Sequence, residues 1–186
     1  MSTHPVTPAQ VVLLPDAGPL ITLAYANALD LLLRPQWSVQ LVDMVLHEVT
    51  RNQTPSSARI AEWAAKLPTV PTRVFQQYSD AKVAAKGQLR KANLGELAIQ
   101  ECMNEFALTA PPTVGVFLFE DHKIARASFL IPGNCHKIST RAYLLFLEQR
   151  ELLDAGQTAA SVERAAIQNS RSFSRLHFPP PYKGLE

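Results

Sequence analysis

Four carboxylates stand out by their settings. Val11-Val-Leu-Leu14 runs directly into Pro15-Asp16, and Gly115-Val-Phe-Leu-Phe119 runs directly into Glu120-Asp121. Each apolar stretch reads as a buried strand, so its acid falls at a strand's carboxyl end, where open parallel sheets form ligand sites. Glu48 and Glu96 fall in the first turns of two predicted helices, the second immediately after Gly95. If Asp16, Glu48, Glu96 and Asp121 meet, their repulsion calls for a hard divalent cation with oxygen ligands, Mg²⁺ or Mn²⁺. Such a cation suits attack of water on a phosphodiester. Taken singly, each acid has an ordinary role. Asp16 could start a turn, Glu48 and Glu96 could face their helix dipoles, and Glu120-Asp121 could open a helix. The set carries the reading.

The elements that must position these acids alternate between strand and helix. Gly18-Pro19 opens a helix whose apolar residues Leu20, Leu23, Ala24, Ala28, Leu31 and Leu32 recur at helical spacing. A second strand is predicted over residues 39–42, with Asp43 capping the helix that carries Glu48. Residues 52–57 read as a polar turn and 58–67 as a helix. Pro68 and Pro71 bound a short extended piece, expected at a sheet edge. A basic helical stretch over 80–91 holds Lys82, Lys86, Arg90 and Lys91, and the Glu96 helix ends before Pro111-Pro112. After the 115–119 strand come a helix over 123–129, a short strand at Lys137-Ile138, and a helix over 141–153 capped by Ser139-Thr140. A last helical segment spans 158–169, and the Pro179-Pro-Pro-Tyr-Lys tail is extended. Continuously apolar strands alternating with helices predict a three-layer α/β/α fold with a central parallel sheet and a C-terminal helical extension. That sheet should have four or five strands, with the Val11 and Gly115 strands adjacent or nearly so.

Four segments together resemble the PIN-domain nucleases, closest to the bacterial branch related to VapC toxins. They are Asp16-Ala-Gly-Pro-Leu-Ile, Leu46-His-Glu48-Val, Leu94-Gly95-Glu96-Leu-Ala-Ile and Leu118-Phe-Glu-Asp121-His-Lys-Ile-Ala-Arg126, with Lys137-Ile-Ser-Thr140 resembling the end of that domain. The four acids are spaced by 32, 48 and 25 residues. The resemblance spans residues 11–153 and implies a metal-dependent endoribonuclease with Asp16, Glu48, Glu96 and Asp121 as catalytic, metal-binding acids for Mg²⁺ or Mn²⁺. Ser139 or Thr140 would hydrogen-bond one of those carboxylates from behind, with Glu120 a further supporting residue. Two departures stand out: Glu120 lies where the family often has aspartate, and Pro15 precedes the first acid. The implied division is a flexible N-terminus at 1–10, a PIN-like nuclease domain at 11–154, and a C-terminal helical extension and tail at 155–186. The RNA backbone would need cations beside the acids, and Lys82, Lys86, Arg90, Lys91, Lys123 and Arg126 are the candidates. A toxin paired with an antitoxin and an RNA-processing enzyme both stay open.

Composition bounds the alternatives. The 186 residues carry a formal charge of +2, against a histone-like polyanion binder, and 47% are apolar, enough for a full core. Only 18% are charged, below the usual ~25%, which points to a covered surface: a homodimer or a protein partner such as an antitoxin. Cys102 and Cys135 match no zinc spacing, and Cys102 lies on an apolar helix face. No membrane span or cationic leader is visible, so a reduced, cytoplasmic setting is expected. His47, His122 and His136 form no ligand spacing, and Trp37 and Trp63 read as packing residues. The runner-up function is a non-catalytic PIN-like module binding RNA or protein, whose mark would be a missing acid. An aspartate-nucleophile phosphatase would want a second acid two residues after Asp16, where Gly18 stands.

Overall fold

The computed structural model describes residues 10–84, 93–109, 113–126 and 130–179. Strand β1 (Gln10–Pro15) leads into helix α1 (Ala17–Tyr25), a 3₁₀ turn (Leu29–Leu33), and strands β2 (Ser38–Val39) and β3 (Leu41–Val42). Helices α2 (Asp43–Thr50) and α3 (Pro55–Ala64), strand β4 (Thr69–Val70), and helices α4 (Arg73–Ala84) and α5 (Leu94–Phe106) follow. The chain continues through β5 (Thr113–Phe119), α6 (His122–Ala125), β6 (Cys135–Ser139), α7 (Thr140–Gln149) and α8 (Ala159–Gln168). It is a mixed α/β fold around a parallel sheet of order β2-β1-β5-β6, with a second, two-stranded parallel sheet of β3 and β4.

The central strands are apolar on both faces, as a helix-covered parallel sheet requires. Leu13, Leu14, Phe117 and Phe119 are fully buried. Strand β1 pairs with β5 from Gln10–Thr113 to Pro15–Leu118, and the Asp16 N–H extends the ladder onto the Leu118 carbonyl at 2.9 Å. Hydrogen-bonding direction alternates along a strand, so the Pro15 nitrogen faces the β2 side. There β2 pairs only as far as Leu13, and the missing N–H of Pro15 costs no ladder bond. Around the sheet, α1 packs on α2, α3 and α8; α5 packs on α2, α4 and β5; α7 packs on β5, β6 and α8.

Several expected elements come out differently, among them the basic helix expected over 80–91, which begins already at Arg73 as α4. The predicted 18–32 helix stops at Tyr25, because Asn27 turns to a positive φ of 54° and the remaining leucines enter the 3₁₀ turn. The predicted 39–42 strand splits at Gln40, whose N–H bonds the Leu13 carbonyl while Leu41 and Val42 leave for β4. The polar turn ends earlier than expected. Thr54 and Ser57 form a reciprocal capping box, with Pro55 at the first helical position, so α3 starts at Pro55. Asp43 opens α2 rather than capping it, and its carboxylate accepts from Met44 N and from the Thr72 N–H and hydroxyl, each at 2.7 Å. That ties α2 to the start of α4. Among the described residues no helix is long and apolar enough to cross a membrane.

Candidate functional site

Asp16 sits where the ladder leaves it, at the carboxyl end of β1 beside the end of β5. It precedes α1 with extended backbone and is 8% exposed. Its carboxyl is pushed up to about 7, chiefly by burial, although the adjacent Ala17 N–H acts the other way. The negative charges of Glu96, Glu48 and Glu120 contribute to the same rise. Acids from α2, α5 and the β5 end thus act on one carboxyl at the end of β1.

A missing side chain lets Glu48 join this group. A Cβ on Gly95 would lie 2.9 Å from Glu48 Oε2 and 3.3 Å from a Val45 methyl, so the bare position lets the carboxylate of α2 sit where it does against the first turn of α5. There the Gly95 N–H, at a helix N-terminus, favours its charged form. Burial and the neighbouring Glu96 charge still raise Glu48 above the usual carboxylate range. Glu96, half-buried, follows on the same turn. The Gly95-Glu96 pair therefore has two functions: room for one acid and the supply of another.

Glu120 is set by α1 and by a segment far along the chain. A Cβ on Gly18 would lie 3.1 Å from the Glu120 Cβ, so α1 meets this residue through another bare position. The Thr22 hydroxyl donates to Glu120 Oε2 at 3.0 Å, and Arg171 Nη2 donates to the same oxygen at 3.3 Å. Arg171 Nε in turn donates to Thr22 Oγ1 at 3.1 Å. Glu120 Oε1 is buried with no hydrogen-bond partner.

Asp121 lies differently. It is exposed, and its Oδ1 accepts the Lys123 N–H at 2.8 Å as the cap of α6. Lys123 and Arg126 are exposed on the same short helix and just after it. Lys82 stands on α4 with its Nζ 5.7 Å from the Tyr78 ring centre, near the partly buried His47. Lys86, Arg90 and Lys91 lie outside the described residues. Ser139 caps α7 by accepting the Ala142 N–H at 3.3 Å, and it also accepts the Phe178 N–H at 2.9 Å. The Thr140 hydroxyl is buried and unpartnered.

Thr22, Arg171 and Ser174 had no part in the sequence reading. Thr22 carried a weak signal, a hydroxyl on the buried face of an otherwise apolar helix. Arg171 carried none, being 51 residues from Glu120.

In its donor chemistry the group suits a hard dication: oxygen ligands, a buried carboxylate oxygen without a partner, and an Asp16 that resists carrying its charge alone. Among the described residues, however, no three or more histidine, cysteine, aspartate or glutamate side chains are gathered into a group that could hold a metal ion. No family model, no curated protein and no solved structure matches the chain.

Proposed function

We propose that the chain is a PIN-type ribonuclease dependent on Mg²⁺ or Mn²⁺. The reading is carried by one observation. Asp16, at the carboxyl end of a central parallel strand, is buried in the field of Glu48, Glu96 and Glu120, acids delivered by three other parts of the fold. The order and setting of the four sequence segments support it.

Asp16, Glu48 and Glu96, not gathered into a metal-holding group as they stand, would draw together to hold the cation. Glu120, with its unpartnered Oε1, is the fourth acid we assign, since Asp121 caps α6. A hard dication held there supplies Lewis acidity toward water and phosphate oxygens. Glu48, set against the first turn of α5 beside Gly95, would orient the attacking water. Lys123 and Arg126, just beyond the β5 end, offset phosphate charge along the RNA strand.

The test is cleavage of a labelled single-stranded RNA. Cleavage should require Mg²⁺ or Mn²⁺, stop with EDTA, and fall at least about 100-fold in Asp16→Asn, more than removal of a supporting group costs. Equal rates for wild type and Asp16→Asn would remove the catalytic assignment. The second reading, a non-catalytic RNA-binding module, draws on Arg171 already offsetting Glu120. It would show as RNA binding that EDTA leaves intact, with no cleavage.

We also propose a protein partner, an antitoxin or a second copy, on the low charged fraction of 18% and on Leu97 and Leu108, exposed by 49% and 87%. Light scattering should then give more than the monomer mass, or the chain should co-purify with a small protein. A monomer at all concentrations, purified alone, would contradict this.

A further inference from the structure

The segment after α8 forms a strap over the carboxyl edge of the central sheet. Asn169 Nδ2 donates to the Tyr25 carbonyl at the end of α1, at 2.9 Å. Arg171 then reaches Thr22 and Glu120, and the Ser174 hydroxyl donates to the Glu120 carbonyl at 3.2 Å. At the far side Ser139 and Phe178 exchange two hydrogen bonds, Ser139 N to Phe178 O at 3.0 Å and Phe178 N to Ser139 Oγ at 2.9 Å. The Phe178 ring stands edge-on to Phe119, with centres 5.7 Å apart. The strap thus crosses the ends of β5 and β6 and places one guanidinium among the site's acids.

We propose that Arg171 is a substrate-anchoring residue of this site, holding a phosphate of the bound RNA strand. The proposal rests on the ribonuclease reading. A cluster of carboxylates repels a polyanion, so a phosphate approaching it needs a fixed cation at the rim. Among the described residues, Arg171 is the cation that bonds an acid of the cluster. Two of its nitrogens, Nε and Nη2, are committed to Thr22 and Glu120. Nη1 makes no hydrogen bond among the described residues, and the side chain is 28% exposed. Guanidinium suits this double duty, because its planar fork can keep one edge on the protein and present another to a phosphate. Glu120 and Thr22 hold the fork in place before substrate arrives.

The experiment measures binding of a fluorescein-labelled single-stranded RNA by anisotropy across a salt series. Ca²⁺ replaces Mg²⁺ so that binding is read apart from cleavage. The full chain is compared with Arg171→Ala, Arg171→Lys and, as a surface control on α8, Arg164→Ala. Arg171→Ala should weaken binding roughly tenfold and reduce the slope of log affinity against log salt by about 0.7, the value of one phosphate contact on a single strand. Arg171→Lys should keep the wild-type slope with a smaller loss of affinity, which also covers the case of an alanine variant that folds poorly. Arg164→Ala should behave as wild type. Weaker binding with an unchanged slope in Arg171→Ala would mean that Arg171 only fastens the strap, and would overturn the proposal alone. A wild-type chain that neither binds nor cleaves RNA would overturn the ribonuclease reading and the anchor with it.

Discussion

A buried carboxyl in the field of other acids favours its neutral form, and Asp16 is that group. Its folded value of about 7 lies above the ordinary 3.8, so between those limits the folded chain keeps a proton that the unfolded chain has lost. The fold therefore loses stability as pH rises through that window, by on the order of 1.4 kcal/mol per tenfold difference in proton affinity. His47 and His136, both pulled below their usual range by burial, act oppositely and cost stability as pH falls below about 6.5. Comparison with Asp16→Asn cancels the histidines. The variant should melt several degrees above wild type at pH 7.5, and the gap should close toward pH 4, as thermal melts across pH would show. A constant gap would mean that folding does not shift the titration of Asp16. At this scale Asp16, Glu48 and Glu96 are legible as candidates because local pattern singles them out: a strand end, a helix turn, a glycine beside an acid. Between Glu120 and Asp121 local pattern does not decide, and the resemblance alone favours Asp121. Two adjacent residues leave a strand end in different directions, and here the shorter one turns back to cap α6 while the longer one reaches Thr22.

The elements were legible wherever apolar runs were continuous. Strands β1 and β5 were readable as buried and neighbouring because nothing polar interrupts them. Breaks decided by backbone conformation were not readable. Asn27 at positive φ ends α1 inside an unbroken helical spacing, and Gln40 divides a run of strand-forming residues between two sheets. The strap was also invisible, since hydroxyl, main-chain and ring contacts on distant elements hold it. Ser139 is its main fastening, 1% exposed and accepting from both Ala142 and Phe178. Ser139→Ala removes a helix cap and strands two N–H groups, so urea titration should show a loss of about 1–2 kcal/mol. Brief trypsin treatment should also cut the strap faster after the exposed Arg175. Unchanged stability and unchanged cutting would show that the strap is held elsewhere.

At the level of the whole molecule, acids far apart in the chain come to one end of a parallel sheet, and a C-terminal segment closes over that end. The outline of this arrangement followed from strand order and strand-end acids, whereas its cation did not, since Arg171 comes from a segment that the strand and helix pattern leaves unassigned. If the acids work as one centre, they must share a dication. Titration calorimetry with Mn²⁺ at pH 7.5, on wild type and on Asp16→Asn, Glu48→Gln, Glu96→Gln and Asp121→Asn, measures this directly. Wild type should bind Mn²⁺, each of the first three variants should bind at least about tenfold more weakly, and Asp121→Asn should change it least. No Mn²⁺ binding by wild type at millimolar concentration, or equal binding by Asp16→Asn, would contradict a shared dication centre.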